Sequence, residues 1–126
     1  MVRRPAIILV MTGMLLASAR PASAASDANA DQLFETAMAA YKMERWEDCI
    51  QKFYDFMAAA PNDPRNDQAQ YCVGRAHMHR KYLNKAIEEF SYLIEDFPTS
   101  QYTTLGLYYR GICYRETRAI DKCVED

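Results

Sequence analysis

The sequence predicts an all-α fold, a solenoid of antiparallel helix pairs about two and a half repeats long, and three observations predict it. Residues of one kind recur at a fixed spacing of 37 along most of the chain. Within each recurrence apolar side chains fall three and four apart, the spacing that lines one face of a helix. Proline and clusters of Asn and Asp gather at the ends of the recurring units, where helices must stop.

The period comes first, because a fixed repeat changes how every later residue is read. Phe34, Tyr71 and Tyr108 share one column, Ala37, Gly74 and Gly111 a second, and Ala39, Ala76 and Cys113 a third. Trp46, Leu83 and Ile120 align, as do Cys49, Ala86 and Cys123, then Ile50, Ile87 and Val124. Phe53 pairs with Phe90 and Pro61 with Pro98. Small residues stay with small and aromatics with aromatics.

Each unit reads as two helices, at about 31–43 and 46–60, 66–80 and 83–97, then 102–116 and 119 onward. Two antiparallel helices approach closely only where side chains are small, so Gly74 and Ala86 are expected to mark a crossing. A glycine inside a helix costs about 1 kcal/mol relative to alanine, which close packing would offset. Trp46, Ile50, Phe53 and Phe56 form the apolar stripe of unit one, and Leu83, Ile87, Phe90 and Leu93 that of unit two. Pro61 and Pro98 end the second helices, since the ring removes a donor and clashes with the preceding turn. The third unit reaches Asp126 one residue before the Phe53/Phe90 column would recur. Its first helix, with Leu105, Leu107, Tyr108, Tyr109 and Ile112, is expected to be only partly covered, through truncation of a longer chain or pending self-association.

At the N-terminus, Arg3 and Arg4 precede an uncharged run from Ala6 to Ala17, followed by Ala22, Ser23 and Ala24. This order predicts a signal peptide over residues 1–24, cleaved after Ala24, with 25–30 as a short linker and 31–126 as the repeat domain. Its repeats run about 31–64, 68–101 and 105–126, the last incomplete. The apolar run is 12 residues, short of the roughly 20 that cross a bilayer, so a cleaved leader is expected over an uncleaved anchor. Pro5 directly after the arginine pair favours general secretion over the twin-arginine route. The first cysteine is Cys49, so no lipid-attachment thiol stands at the cleavage site, and the mature chain is expected to be periplasmic, soluble and not lipid-anchored. Without residues 1–24 the chain keeps 12 basic and 17 acidic side chains, a net charge of −5. Nucleic acid is therefore not an expected partner.

The residues at these places resemble the tetratricopeptide repeat family, whose units carry small residues at their eighth and twentieth positions, an aromatic at the twenty-fourth and proline at the thirty-second. Unit one supplies Ala37, Cys49, Phe53 and Pro61, and unit two Gly74, Ala86, Phe90 and Pro98. The resemblance implies a right-handed solenoid and a protein-binding scaffold. The family period is 34, so each junction here is three residues longer, within 62–66 and 99–103. Such junctions are similar to those of the outer-membrane-protein assembly lipoproteins and of the periplasmic Tol-Pal cell-division coordinator. Residues 69–100, AQYCVGRAHMHRKYLNKAIEEFSYLIEDFPTS, are especially similar to the latter. The usual aromatic at the eleventh position is replaced by Ala40, His77 and Tyr114, and the lipidated cysteine is missing.

The resemblance also implies a concave surface lined by the first helices. Carried over by column it holds Phe34, Tyr71 and Tyr108, then Met38, Arg75 and Ile112, then Tyr41, Met78 and Arg115, with Lys42 and His79 beside them. Aromatics, Met and Arg dominate protein interfaces, so a groove for a protein or peptide of the envelope is expected. The competing reading has Phe34, Tyr71 and Tyr108 packing between neighbouring helices. The Lys and Asn clamp with which some relatives hold a peptide carboxylate is replaced by aromatics.

His77 and His79 are two apart on a helix, about 200 degrees around it, and so do not share a metal. Cys49 occupies a small, buried column and is expected as a free thiol, which packs as a small hydrophobe. Cys113 and Cys123 fall on paired helices of one hairpin, which leaves a disulfide between them open. Glu44, Glu47, Asp48, Glu88, Glu89, Glu95 and Asp96 read as solvated helix faces, and no nucleophile–base pair or phosphate loop stands out. Neither catalysis nor a cofactor is expected. An envelope adaptor, an oligomerising repeat segment, and the repeat domain of a longer exported enzyme remain as functions, in that order.

Overall fold

The computed structural model describes the backbone of residues 19–125 and the side chains of residues 26–121. It contains α1 (Ala19–Lys42), α2 (Trp46–Ala59), α3 (Asn66–His79), α4 (Leu83–Asp96) and α5 (Gln101–Glu125), with no strand among the described residues. The chain divides into two compact units, residues 1–32 and 33–126. In the second, α3 packs against α2, α4 and α5, and α4 packs against α5. Most of the expected leader, residues 1–18, lies outside the described residues. The expected linker at 25–30 is instead part of α1. Its stretch is rich in alanine, the strongest helix former.

The 37-residue period is written into the backbone as well as the side chains. After α1, Glu44 is left-handed at φ 59°, and after α3 Lys81, one period on, is left-handed at φ 65°. Glu44 N–H donates to Tyr41 C=O at 3.1 Å and Arg45 N–H to Ala40 C=O at 3.0 Å. Lys81 donates to Met78 and Tyr82 to His77, each at 3.0 Å. This pair of bonds is the Schellman ending, which satisfies the last carbonyls of a helix.

The longer junctions repeat too. Pro61 and Pro98 stand two residues past the ends of α2 and α4, as expected from their bar on preceding helical residues. Asn66 Nδ2 then donates back to Ala60 C=O at 2.8 Å, and Thr103 Oγ1, one period on, donates to Phe97 C=O. Asp63 N–H and Ser100 N–H donate to the same two carbonyls at 3.1 Å. The three residues beyond the 34-residue unit thus build a closed, hydrogen-bonded turn.

The core consists of rings seated on small residues. Phe53, Phe56, Phe90 and Leu93 are fully buried, together with Ala37, Cys49, Ala76, Ala86 and Cys113. A Cβ on Gly74 would lie 2.6 Å from the Phe90 ring, and one on Gly106 would lie 2.7 Å from Leu93. Gly74 makes room for the Phe90 ring.

Between α2, α3 and α4 sits a buried polar group. Glu89, 5 % exposed, accepts hydrogen bonds from the Tyr54 hydroxyl and from Gln70 Nε2 at 2.6 Å. His77 Nε2 is 3.5 Å from the Tyr54 hydroxyl, and His77 Nδ1 is buried without a hydrogen-bonding partner. Because Tyr54 gives its proton to Glu89, its oxygen accepts from His77 Nε2–H, which assigns the tautomer.

The third unit differs from expectation. In place of a turn near 117–118, α5 runs unbroken to Glu125. Residues 115–121 contain no Gly, Pro or Asn. The equivalent stretch of unit one, 41–47, has none either, and that of unit two, 78–84, has only Asn84, which lies inside α4; there the returning helix docks its rings and holds the turn against local propensity.

Gly74→Ala is expected to destabilise the fold by about 1–3 kcal/mol through overpacking against Phe90. Gly111→Ala, whose Cβ meets nothing within 4 Å, should stabilise it by about 1 kcal/mol; urea unfolding followed by circular dichroism measures both. Burial, against an opposing pull from Glu89, holds the His77 pKa below its usual 6.5. Below that value the unfolded chain binds a proton that the native one refuses, so stability should fall as pH is lowered through 6.5. Unfolding at pH 7.5 and 5.5 should show this slope in the native chain and a shallower one in His77→Gln.

Candidate protein-binding surface

α3 carries the centre of the surface, because Tyr71, Arg75, Met78 and His79 fall on one of its faces while Val73, Ala76 and His77 turn inward. Arg75 organises the group. Its guanidinium lies 3.8 Å from the Tyr109 ring centroid, Nη1 donates to the Tyr71 hydroxyl at 3.3 Å, and Nη2 is 3.4 Å from His79 Nε2. Its Nε is buried without a partner. Burial, then the Arg75 charge, pushes the His79 pKa down, so the neutral ring accepts from Arg75. A cation held over a ring in this way contributes about 0.5–2 kcal/mol.

Around Arg75 the aromatic rings form a connected layer. Tyr71 lies 5.3 Å from Tyr102 and 6.3 Å from Tyr109. His79 stacks on Trp46 at 4.3 Å with the planes 2° apart, and Trp46 meets Tyr41 edge-on at 5.4 Å. Burial first, then Cys72, pushes the Tyr41 hydroxyl up to about 12. A cavity of 280 Å³ opens beside the group, lined by Arg75, Met78, His79, Lys81 and Glu116.

Of the residues expected in the groove, the structure thus gathers Tyr41, Tyr71, Arg75 and Met78, with His79. Phe34 belongs elsewhere: it packs on Phe53 and Phe56 beneath the Arg65 guanidinium, 4.8 Å away. Met38 and Ile112 are half-buried and Lys42 exposed. Tyr108 is 64 % exposed and touches the layer only through Tyr109, at 5.1 Å. Arg115 lines a separate cavity with Gly111, Tyr114, Arg118 and Ala119. Trp46, Tyr102, Tyr109 and Glu116 were not expected here. Trp46 stood in the apolar stripe, and the other three reach α3 from α5, which column arithmetic within one unit does not reveal.

The two histidines face apart as their spacing dictates, His77 toward Tyr54 and His79 toward Trp46. Cys49, Cys72 and Cys113 are buried free thiols. Burial raises Cys49 to about 11 and Cys72 to about 12, so neither carries the thiolate that nucleophilic chemistry needs. The bridge between Cys113 and Cys123 is corrected: Cys113 is free, and both residues lie on the single helix α5. Ten residues along a helix separate Cα atoms by about 15 Å, beyond the roughly 7 Å that a disulfide spans. The Cys123 side chain lies outside those described.

Helix pairs repeated in the backbone turns, the junction bonds and the ring-on-small-residue core define a tetratricopeptide-type helical repeat. The family model described as outer membrane lipoprotein, YfiO, matches residues 26–122, and the chain belongs to that family. No curated protein and no solved structure gives a significant match. Membership overturns the expectation of a protein without a lipid anchor, because the family is one of outer membrane lipoproteins; export to the envelope stands. That expectation had rested on the lack of a cysteine before Cys49. No helix among the described residues is long and apolar enough to cross a membrane.

Iodoacetamide at pH 7.5 should leave Cys49, Cys72 and Cys113 unmodified in the native chain and alkylate all three in denaturant, read by peptide mass mapping.

Proposed function

We propose that this chain is a non-catalytic adaptor of the cell envelope that holds a segment of another envelope protein against the surface centred on Tyr71, Arg75 and Tyr109. The observation that carries the reading is Arg75 itself. It is half-buried among rings, makes no ion pair with a described carboxylate, and borders a 280 Å³ cavity. Buried arginines are ordinarily paired with acids, and a guanidinium fixed by rings loses little freedom when a partner arrives. Rigid aromatics and arginine are the side chains that concentrate binding energy in protein interfaces. Membership in the outer membrane lipoprotein family supports the envelope as the place where this happens.

The occupant of this surface is an extended segment or a helix, and its acidic or polar groups meet Arg75 while its apolar groups meet Tyr71, Met78 and Tyr109. Arg75→Ala combined with Tyr109→Leu should reduce capture of the partner from envelope extracts by about tenfold or more, while the double variant, its thermal midpoint lowered by loss of the cation–ring contact, still unfolds cooperatively above the assay temperature. Equal capture by the native chain and the folded double variant would defeat the proposal.

A further inference from the structure

The last turn of α3 grips α2 twice, once on each side. His77 reaches inward to Tyr54 of α2, with Nε2 3.5 Å from the hydroxyl. His79 reaches outward and stacks on Trp46, the first residue of α2, at 4.3 Å. These are the two histidines of the chain, and in neither contact does the native structure have a place for a second proton. His77 Nε2 already carries the proton that it donates to Tyr54, so the next one enters at Nδ1, which is buried without a hydrogen-bonding partner. His79 Nε2 accepts from Arg75 Nη2 at 3.4 Å, so a proton there sets donor against donor and cation beside cation.

The charged groups around the two rings do not reverse this. His77 faces Tyr54 from α2, Glu88, Glu89 and Lys85 from α4, and Arg80 just past the end of its own helix. His79 faces Arg75, Lys81 and Glu44 and shares a cavity with Glu116 of α5. For His77 burial, and for His79 partial cover followed by the Arg75 charge, outweigh the carboxylates and hold both below the usual 6.5. His79 stands at the rim, where solvent reaches it. The ion pair between Arg80 and Glu47, at 4.0 Å and open to solvent, adds little to the grip. Farther along α2, Phe53 and Phe56 are buried against Phe34 in an apolar contact that protons do not touch.

We infer that His77 and His79 form an acid-released clasp between α3 and α2: when both are protonated, Trp46 parts from His79, and Arg75 loses the ring that fixes one side of its guanidinium. Histidine is the side chain whose charge changes in this range, and its protonation is a general means of switching packed interfaces. The inference rests on the reading of the Arg75 surface as a binding site for its consequence, that a bound segment is let go in acid. The opening itself needs no partner.

Trp46 is the single tryptophan of the chain, so its fluorescence reads the clasp. Acrylamide quenching of Trp46 in the full chain should rise by about twofold between pH 7.5 and 5.0, with a midpoint below 6.5 and with helix content by circular dichroism retained. His79→Gln stays neutral and can still accept from Arg75, and its rise should be smaller; His77→Gln should behave likewise, and the variant carrying both exchanges should show no pH dependence. Quenching unchanged between the two pH values overturns the inference, because a protonated ring that stays stacked dims Trp46 without admitting acrylamide. A rise in His79→Gln equal to the native one overturns it too, as does helix content lost in step with the rise, since the whole domain is then unfolding. Failure of the Arg75 surface to bind a partner would show in the capture assay and not in this one.

Discussion

The seating of the Phe90 ring on the bare backbone of Gly74 is the contact on which the rest of this chain is arranged. Protein interiors are packed like organic crystals, so a ring that rests against backbone fixes both the distance and the rotation between two helices. Here it locks α4 to α3, and α4 in turn takes Gly106 of α5 beneath Leu93. Rotation of α3 about its axis is then no longer free, and Tyr71, Arg75 and His79 are aimed at one place. The surface is thus a by-product of the core. Its side chains are held by what lies on the opposite side of the same helix.

A second constraint is polar. Glu89 is buried beside Tyr54, Gln70 and His77, which belong to α2, α3 and α3, so one carboxylate ties three helices together. Apolar contacts tolerate sliding better than this arrangement does, because any shift would leave a buried acceptor bare, at about 1–3 kcal/mol or more for a charged group. Ring seating sets how closely the helices approach. The Glu89 group sets their register.

Much of this was legible in the sequence because it is periodic. The columns of Phe53 with Phe90, Ala37 with Gly74 and Pro61 with Pro98 carried the helix pairs and their ends. Repeat arithmetic reports which residues are equivalent, however, and is silent on which residues reach across from one unit to the next. That is why Tyr108 was expected against Arg75 and Tyr109 stands there. Glu89 read as part of a solvated face because its hydrogen-bonding partners come from other helices. The turn expected near 117–118 is absent, since docking rather than local preference makes that turn in the other units. The expectation of a chain without a lipid anchor rested on the lack of a cysteine before Cys49, and family membership, which no column of the repeat reports, overturns it.

The side-chain caps of the two junctions, Asn66 on Ala60 and Thr103 on Phe97, bear on the geometry of recognition. They sit where the chain passes from one helix pair to the next, so the step between successive pairs is held by polar bonds as well as by the packing of helices. A binding surface assembled from several pairs acquires its pitch from those joints. Two proteins that share the same groove side chains but differ by three residues in each junction would present them at different spacings. They would fit different ligands without a change in a single contact residue.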